Sequence, residues 1–159
     1  MKTTDCNLLD APADIIAQCC NCFNTMGAGV AAAIAQEYPE AVEADNETKK
    51  GDKSKLGSLS LCVVKDPTTH KNQAIKAIAN LYGQFGFARD NRAVNYEAMY
   101  SALVEFRDKL KPAVKTVAFP YKMGCGLAGG DWRIVEKMIE VVFDGTTFDV
   151  LICKYEPKP

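Results

Sequence analysis

A chain of 159 residues, 48% hydrophobic and 25% charged, can bury the core of one globular domain and is short for two. Twenty acidic residues against nineteen lysines and arginines leave a formal net charge of −1, which does not favour a surface built to grip duplex nucleic acid. The seven cysteines are an odd number, and neither a leader nor an apolar run long enough to span a membrane reads from the sequence; reduced thiols, a cytoplasmic setting and no membrane partner are expected.

Residues 1–9 and 14–20 read as strands, with Asp10 and Pro12 marking the turn between them. An alanine-rich helix is predicted over 28–38, closed by Pro39. The charged stretch 39–57 reads as a short, mostly solvated helix and a mobile surface loop, the usual meaning of a charge run. Residues 59–65 and 74–81 are strand-like. Asp66, Pro67, Thr68, Thr69 and Asn72 supply turn chemistry between them, which predicts an antiparallel hairpin. Residues 82–92 form a loop holding Gly83, Gln84, Phe85, Phe87 and Arg89.

Tyr96, Met99, Tyr100, Leu103, Phe106 and Leu110 follow helical spacing and predict one buried stripe. A strand over 114–120 leads into a helix that Asp131 can cap, with Trp132, Val135, Met138, Ile139, Val142 and Phe143 on its inner face. Residues 147–153 give a closing strand, and the end of the chain reads as frayed. Strands alternating with helices predict a single three-layer α/β/α domain with a mixed, largely parallel central sheet and antiparallel edges.

Two glycine-rich loops stand out. The first runs from Asn21 through Met26, Gly27, Ala28, Gly29 and Val30 into a helix. The second runs from Tyr121 through Gly124, Cys125, Gly126, Leu127, Gly129 and Gly130 to Asp131 and Trp132. Each joins a strand to a helix, where backbone N–H groups and a helix N-terminus can close around an anion. Two such loops suggest a ligand with two adjacent phosphates. The lysine and hydroxyl of a P-loop are absent, and no acidic residue follows at the spacing a dinucleotide fold needs. Asp131 beside anions should have a raised pKa and is a candidate general base or ribose ligand; it can equally be a simple cap. Cys19, Cys20 and Cys22 lack a second pair of ligands, and His70 is the single histidine, so no metal is expected.

These residues resemble the macro domain family. The run from Asp14 to Cys22 followed by Met26–Val30 is similar to its second strand and first phosphate loop, and Pro120–Leu127 with Gly130, Asp131 and Trp132 is similar to its second. The resemblance is nearest to the branch of terminal ADP-ribose glycohydrolases, ADP-ribose 1''-phosphate phosphatases and antitoxins that strip ADP-ribose from DNA. It implies hydrolysis of an ADP-ribose derivative at the distal ribose C1'', either a 1''-phosphate or an ADP-ribosylated protein or nucleic acid, with no cofactor. A non-catalytic reader of ADP-ribose is the alternative.

Carried over, the family pattern places Asn7, with Leu8 beside it, at adenine. It places Asn21 at the distal ribose, Gly27, Ala28, Gly29 and Val30 on one phosphate, and Gly124, Cys125, Gly126 and Leu127 on the other. Gln84 falls where the glycohydrolase has its lysine nucleophile, and Ala128 where it has its Asp. A lysine mechanism is therefore not expected. Asp131 as base and Asn21 as orienting residue are the catalytic candidates.

Overall fold

The computed structural model describes residues 1–86, 93–126 and 128–155. Six strands form one sheet: β1 (Lys2–Thr4), β2 (Ile15–Cys19), β3 (Leu59–Val63), β4 (Ala77–Leu81), β5 (Thr116–Pro120) and β6 (Asp149–Cys153). Their order is β1-β6-β5-β2-β4-β3. Every neighbouring pair is parallel except β3 with β4. The hairpin is therefore present, and one edge is antiparallel rather than both.

Side chains alternate across the strands. Ile15 and Ala17 of β2 join the core beneath α3 (Tyr96–Lys109) and α4 (Trp132–Phe143). Ile16 faces the opposite way, into the core under α1 (Gly29–Glu37) and α2 (Pro39–Asn46). Two helical layers thus sandwich the sheet, the expected α/β arrangement. Among the described residues no helix is long and apolar enough to cross a membrane.

Local chemistry moved several boundaries. The N-terminal strand stops at Thr4, and β1 pairs with β6 at the sheet edge rather than with β2. Asn7 accepts a bond from the Leu9 N–H and starts a 3-10 turn over Leu8–Asp10. A short polar side chain that bonds its own backbone competes with extended structure in this way. In α3 the buried stripe is Ala98, Met99, Ala102, Leu103 and Phe106, while Tyr100 is exposed; one residue beyond Met99 turns a side chain by about 100° around the helix.

The charged stretch is not mainly solvated. Glu40, Asp45 and Lys55 are buried within it. Glu40 accepts from the Lys65 N–H at 3.0 Å, and Asp45 accepts from the Tyr82 hydroxyl at 2.7 Å. A charge can be buried when hydrogen bonds replace its water. The expected frayed tail at 156–159 lies outside the described residues.

Candidate ADP-ribose site

β2 and β5 are adjacent and parallel, and Asp14 helps fix that pairing: its Oδ2 accepts from the N–H groups of Lys115 and Thr116 at 2.8 and 3.1 Å. From their carboxyl ends the chain leaves in opposite directions, β2 toward α1 on one face and β5 toward α4 on the other. Such a divergence opens a crevice where ligands of open α/β sheets bind. A cleft of about 610 Å³ occupies it, lined by both glycine loops.

The glycines have different tasks. A Cβ on Gly27, Gly29 or Gly126 would meet nothing within 4 Å, so no described residue fills the space beside them. A Cβ on Gly130 would lie 2.7 Å from the Gly124 carbonyl oxygen and 2.9 Å from Val94 Cγ1; that glycine lets the second loop fold onto itself. The helices differ in the same sense. Asn95 caps α3 and Asp131 caps α4 with side-chain oxygens, whereas α1, which follows Ala28, has no side-chain cap; α2 has none either, but it opens on Pro39, which carries no N–H. The first N–H groups of α1 face the cleft as donors without a side-chain acceptor, the arrangement that favours an anion.

The cleft brings together Asn21, Gly27, Ala28, Gly29, Val30, Gln84, Gly124 and Gly126, with Thr25, Tyr121 and Lys122. Lys122 is the one charged side chain among the described lining residues. No spacing in the sequence marks it out, because its place depends on the loop's turn, where its φ is +60°. The Asn21 amide is already engaged: Nδ2 donates to Thr25 Oγ1 at 2.7 Å, and Oδ1 accepts from the Phe23 N–H at 2.8 Å. Gln84 Oε1 accepts from the Cys19 thiol at 3.5 Å, and its Nε2 donates to the Gly86 carbonyl at 2.8 Å.

Asn7, Leu8 and Cys125, also expected at the site, stand outside this lining. Asn7 caps its own turn and Leu8 is buried under it. The Cys125 thiol turns back to the Met123 carbonyl at 3.3 Å. Leu127 lies outside the described residues, as do Phe87 and Arg89 of the loop after β4.

Asp131 corrects an expectation. Its carboxylate caps α4 through the Arg133 N–H at 3.0 Å and takes the Arg133 guanidinium at 3.1 and 2.7 Å. These bonds hold its pKa below the ordinary aspartate value instead of raising it. It borders a separate surface hollow with Tyr100, Ile134 and Val141.

Burial pushes Cys19 up to about 12 and Cys20 well above the usual thiol range, so both remain thiols near neutral pH. Among the described residues no three of His, Cys, Asp and Glu gather as metal ligands.

Residues 17–139 match the model of the macro domain family, well over half of the chain. The chain belongs to the macro domain family. This macro domain is 32% identical over 144 residues to the phage T4 protein described as an uncharacterized 17.5 kDa protein in the tk-vs intergenic region, across 89% of this chain and 86% of the phage protein. Its fold is similar to the macrodomain of Mycobacterium tuberculosis DarG, with TM-score 0.77, 22% identity and 99% of each chain covered. It is also similar to Thermosipho africanus DarTG in complex with ADP-ribose, with TM-score 0.73 and 16% identity, over 96% of this chain and 41% of that one. At those identities the structural likeness speaks for the fold.

Proposed function

We propose that this macro domain binds ADP-ribose in the cleft and hydrolyses a bond at C1'' of the distal ribose, that of a 1''-phosphate or of an ADP-ribosyl conjugate. The observation that carries the ligand is the uncapped start of α1, opening with Gly27 and Gly29 across the cleft from Gly126. A helix start without a side-chain cap suits one phosphate, and Gly124 and Gly126 of the second loop line the same cleft, where a second phosphate can approach the backbone. Lys122 adds the positive charge. The ADP-ribose held by DarTG, which shares the fold, supports the same ligand here.

The distal ribose belongs at the end bearing Asn21 and Gln84. Adenine belongs toward Asn7, which follows β1 two strands from β5, a displacement of about 10 Å along the carboxyl edge. Water is the nucleophile: its oxygen bonds to C1'', the bond from C1'' to the leaving oxygen breaks, and the leaving group takes up a proton. The described lining has no carboxylate or imidazole, and Asp131 is a weakened base held by Arg133. The proton that the attacking water loses passes to a phosphate oxygen of the ligand.

A second reading, a reader that binds without turnover, is favoured by the same engagement of Asp131 and by the bonds that occupy the Asn21 amide. Calorimetry with ADP-ribose tests binding. Chromatography of free ADP-ribose released from ADP-ribose 1''-phosphate, ester-linked ADP-ribosyl peptide and ADP-ribosylated nucleic acid tests hydrolysis. Release from one of them selects the hydrolase; saturable binding with no release from all three selects the reader. Absence of ADP-ribose binding refutes both.

A further inference from the structure

The charged stretch between α2 and β3 carries a buried cation whose hydrogen bonds lead to the first glycine loop. Lys55 closes a 3-10 turn over Lys53–Lys55 and is 7% exposed. Its Nζ donates to Asn24 Oδ1, and to Thr48 Oγ1 at 2.7 Å. The same ammonium stands 4.8 Å from the centroid of the Tyr82 ring. Asn24 Nδ2 donates to the Thr48 carbonyl at 3.0 Å, and the Gly51 N–H donates to the Cys22 carbonyl at 2.7 Å. Residues 22–24 are stitched in this way to residues 48–55.

Burying an ammonium costs solvation, and proteins ordinarily compensate it with a carboxylate. Asp45 is buried nearby, yet it accepts from the Tyr82 hydroxyl. The Lys55 bonds go instead to Asn24, whose φ of +57° lies in the left-handed region. Asparagine tolerates that conformation better than other residues with a side chain, and the bonds from Lys55 and to Thr48 fix its side chain there. Asn24 sits between Asn21 and Thr25, which line the cleft, three residues before Gly27.

We propose that Lys55 is a positioning residue for the first phosphate loop: its buried ammonium holds the turn at Asn24 and thereby sets the loop's amides for the ligand. Releasing that turn adds conformational freedom that binding must remove, so affinity falls while the ligand contacts stay the same. The ligand side of this proposal rests on the ADP-ribose reading above; the ordering of the free loop does not.

The test compares Lys55→Met, Asn24→Ala and the double variant in the full chain. One readout is amide hydrogen exchange in the absence of ligand at Cys22, Phe23 and Gly51, whose N–H groups are bonded at the base of the loop. The other is ADP-ribose affinity by calorimetry. Lys55→Met is expected to speed exchange at these amides about tenfold, leave β4 and β5 amides unchanged and weaken ADP-ribose about tenfold, the scale of one lost charge-assisted bond. Asn24→Ala should do the same, and adding Lys55→Met to it should cost less than twofold more. Unchanged loop exchange in Lys55→Met, or fully additive effects of the two substitutions, overturns the proposal. Should Lys55→Met fail to fold, Asn24→Ala, which keeps the ammonium, gives the same two readouts. A wild-type protein that binds no ADP-ribose overturns the ligand reading, and the exchange comparison still decides the role of Lys55.

Discussion

Replacing Gly27 and Gly130 separately by alanine should divide binding from stability. At Gly27 the backbone lies outside the left-handed region and a Cβ meets nothing within 4 Å. Alanine there narrows the unfolded ensemble, so stability should hold or rise by up to about 1 kcal/mol. In the proposed binding mode the added methyl stands in the space a phosphate enters to reach the backbone donors. Losing one charged hydrogen bond of about 1.5–3 kcal/mol weakens ADP-ribose roughly 10- to 100-fold.

At Gly130 the Cβ would lie 2.7 Å from the Gly124 carbonyl oxygen, 2.9 Å from Val94 Cγ1 and 3.2 Å from Cys125 Sγ. Overpacking of that kind costs about 1–3 kcal/mol, which for a domain of this size lowers Tm by roughly 2–12 °C. Differential scanning calorimetry without ligand and titration calorimetry with ADP-ribose read the two effects. A Gly27→Ala protein with wild-type affinity would refute the placement of the anion against the first loop. A Gly130→Ala protein with wild-type Tm would refute the close approach inside the second.

Lys122→Ala should weaken ADP-ribose several-fold at 50 mM salt and by less at 500 mM, because an exposed charge near a phosphate is screened by salt; equal losses at the two concentrations would argue against an electrostatic role. Asp131→Ala should lower Tm at pH 7 while leaving ADP-ribose affinity within twofold, since the carboxylate caps α4 and lies outside the cleft lining. Its pKa is depressed in the fold, so its stabilisation is present above the unfolded aspartate value of 3.8 and is lost as pH falls through the lower folded value. The Tm difference between wild type and variant should therefore shrink below about pH 4. Cys19→Ser should retain any turnover, because a thiol pushed up to about 12 is not a nucleophile near neutral pH; loss of turnover with intact ADP-ribose binding would reverse that conclusion.

The legible parts of the chain were those whose signal is local. Glycine spacing exposed both loops. Apolar periodicity placed α3 and α4, and Asp131 beside Trp132 announced a cap that the structure contains. The same aspartate also looked like a base beside phosphates. Arg133, which lowers its pKa where a rise was expected, is two positions away, but only the direction of the helix brings its guanidinium onto the carboxylate. Asn21 stands out in the sequence and lines the cleft, whereas its bonds to Thr25 and Phe23 depend on how the loop turns. The stretch from Pro39 to Gly57 carries many charges, and composition alone cannot tell a wet lysine from Lys55, whose partners arrive from Asn24 and Thr48.

By itself the sequence determined the strand-to-helix units and the two glycine loops, because turn chemistry and periodicity act over a few residues, and the motifs in those loops carried the resemblance to the macro domain family. Tertiary structure decided that β2 and β5 lie side by side although about a hundred residues separate them, and so that the loops share one cleft. It also decided which polar groups face that cleft and which are consumed elsewhere. Hydrogen bonds and burial join groups by distance in space, and sheet order sets that distance.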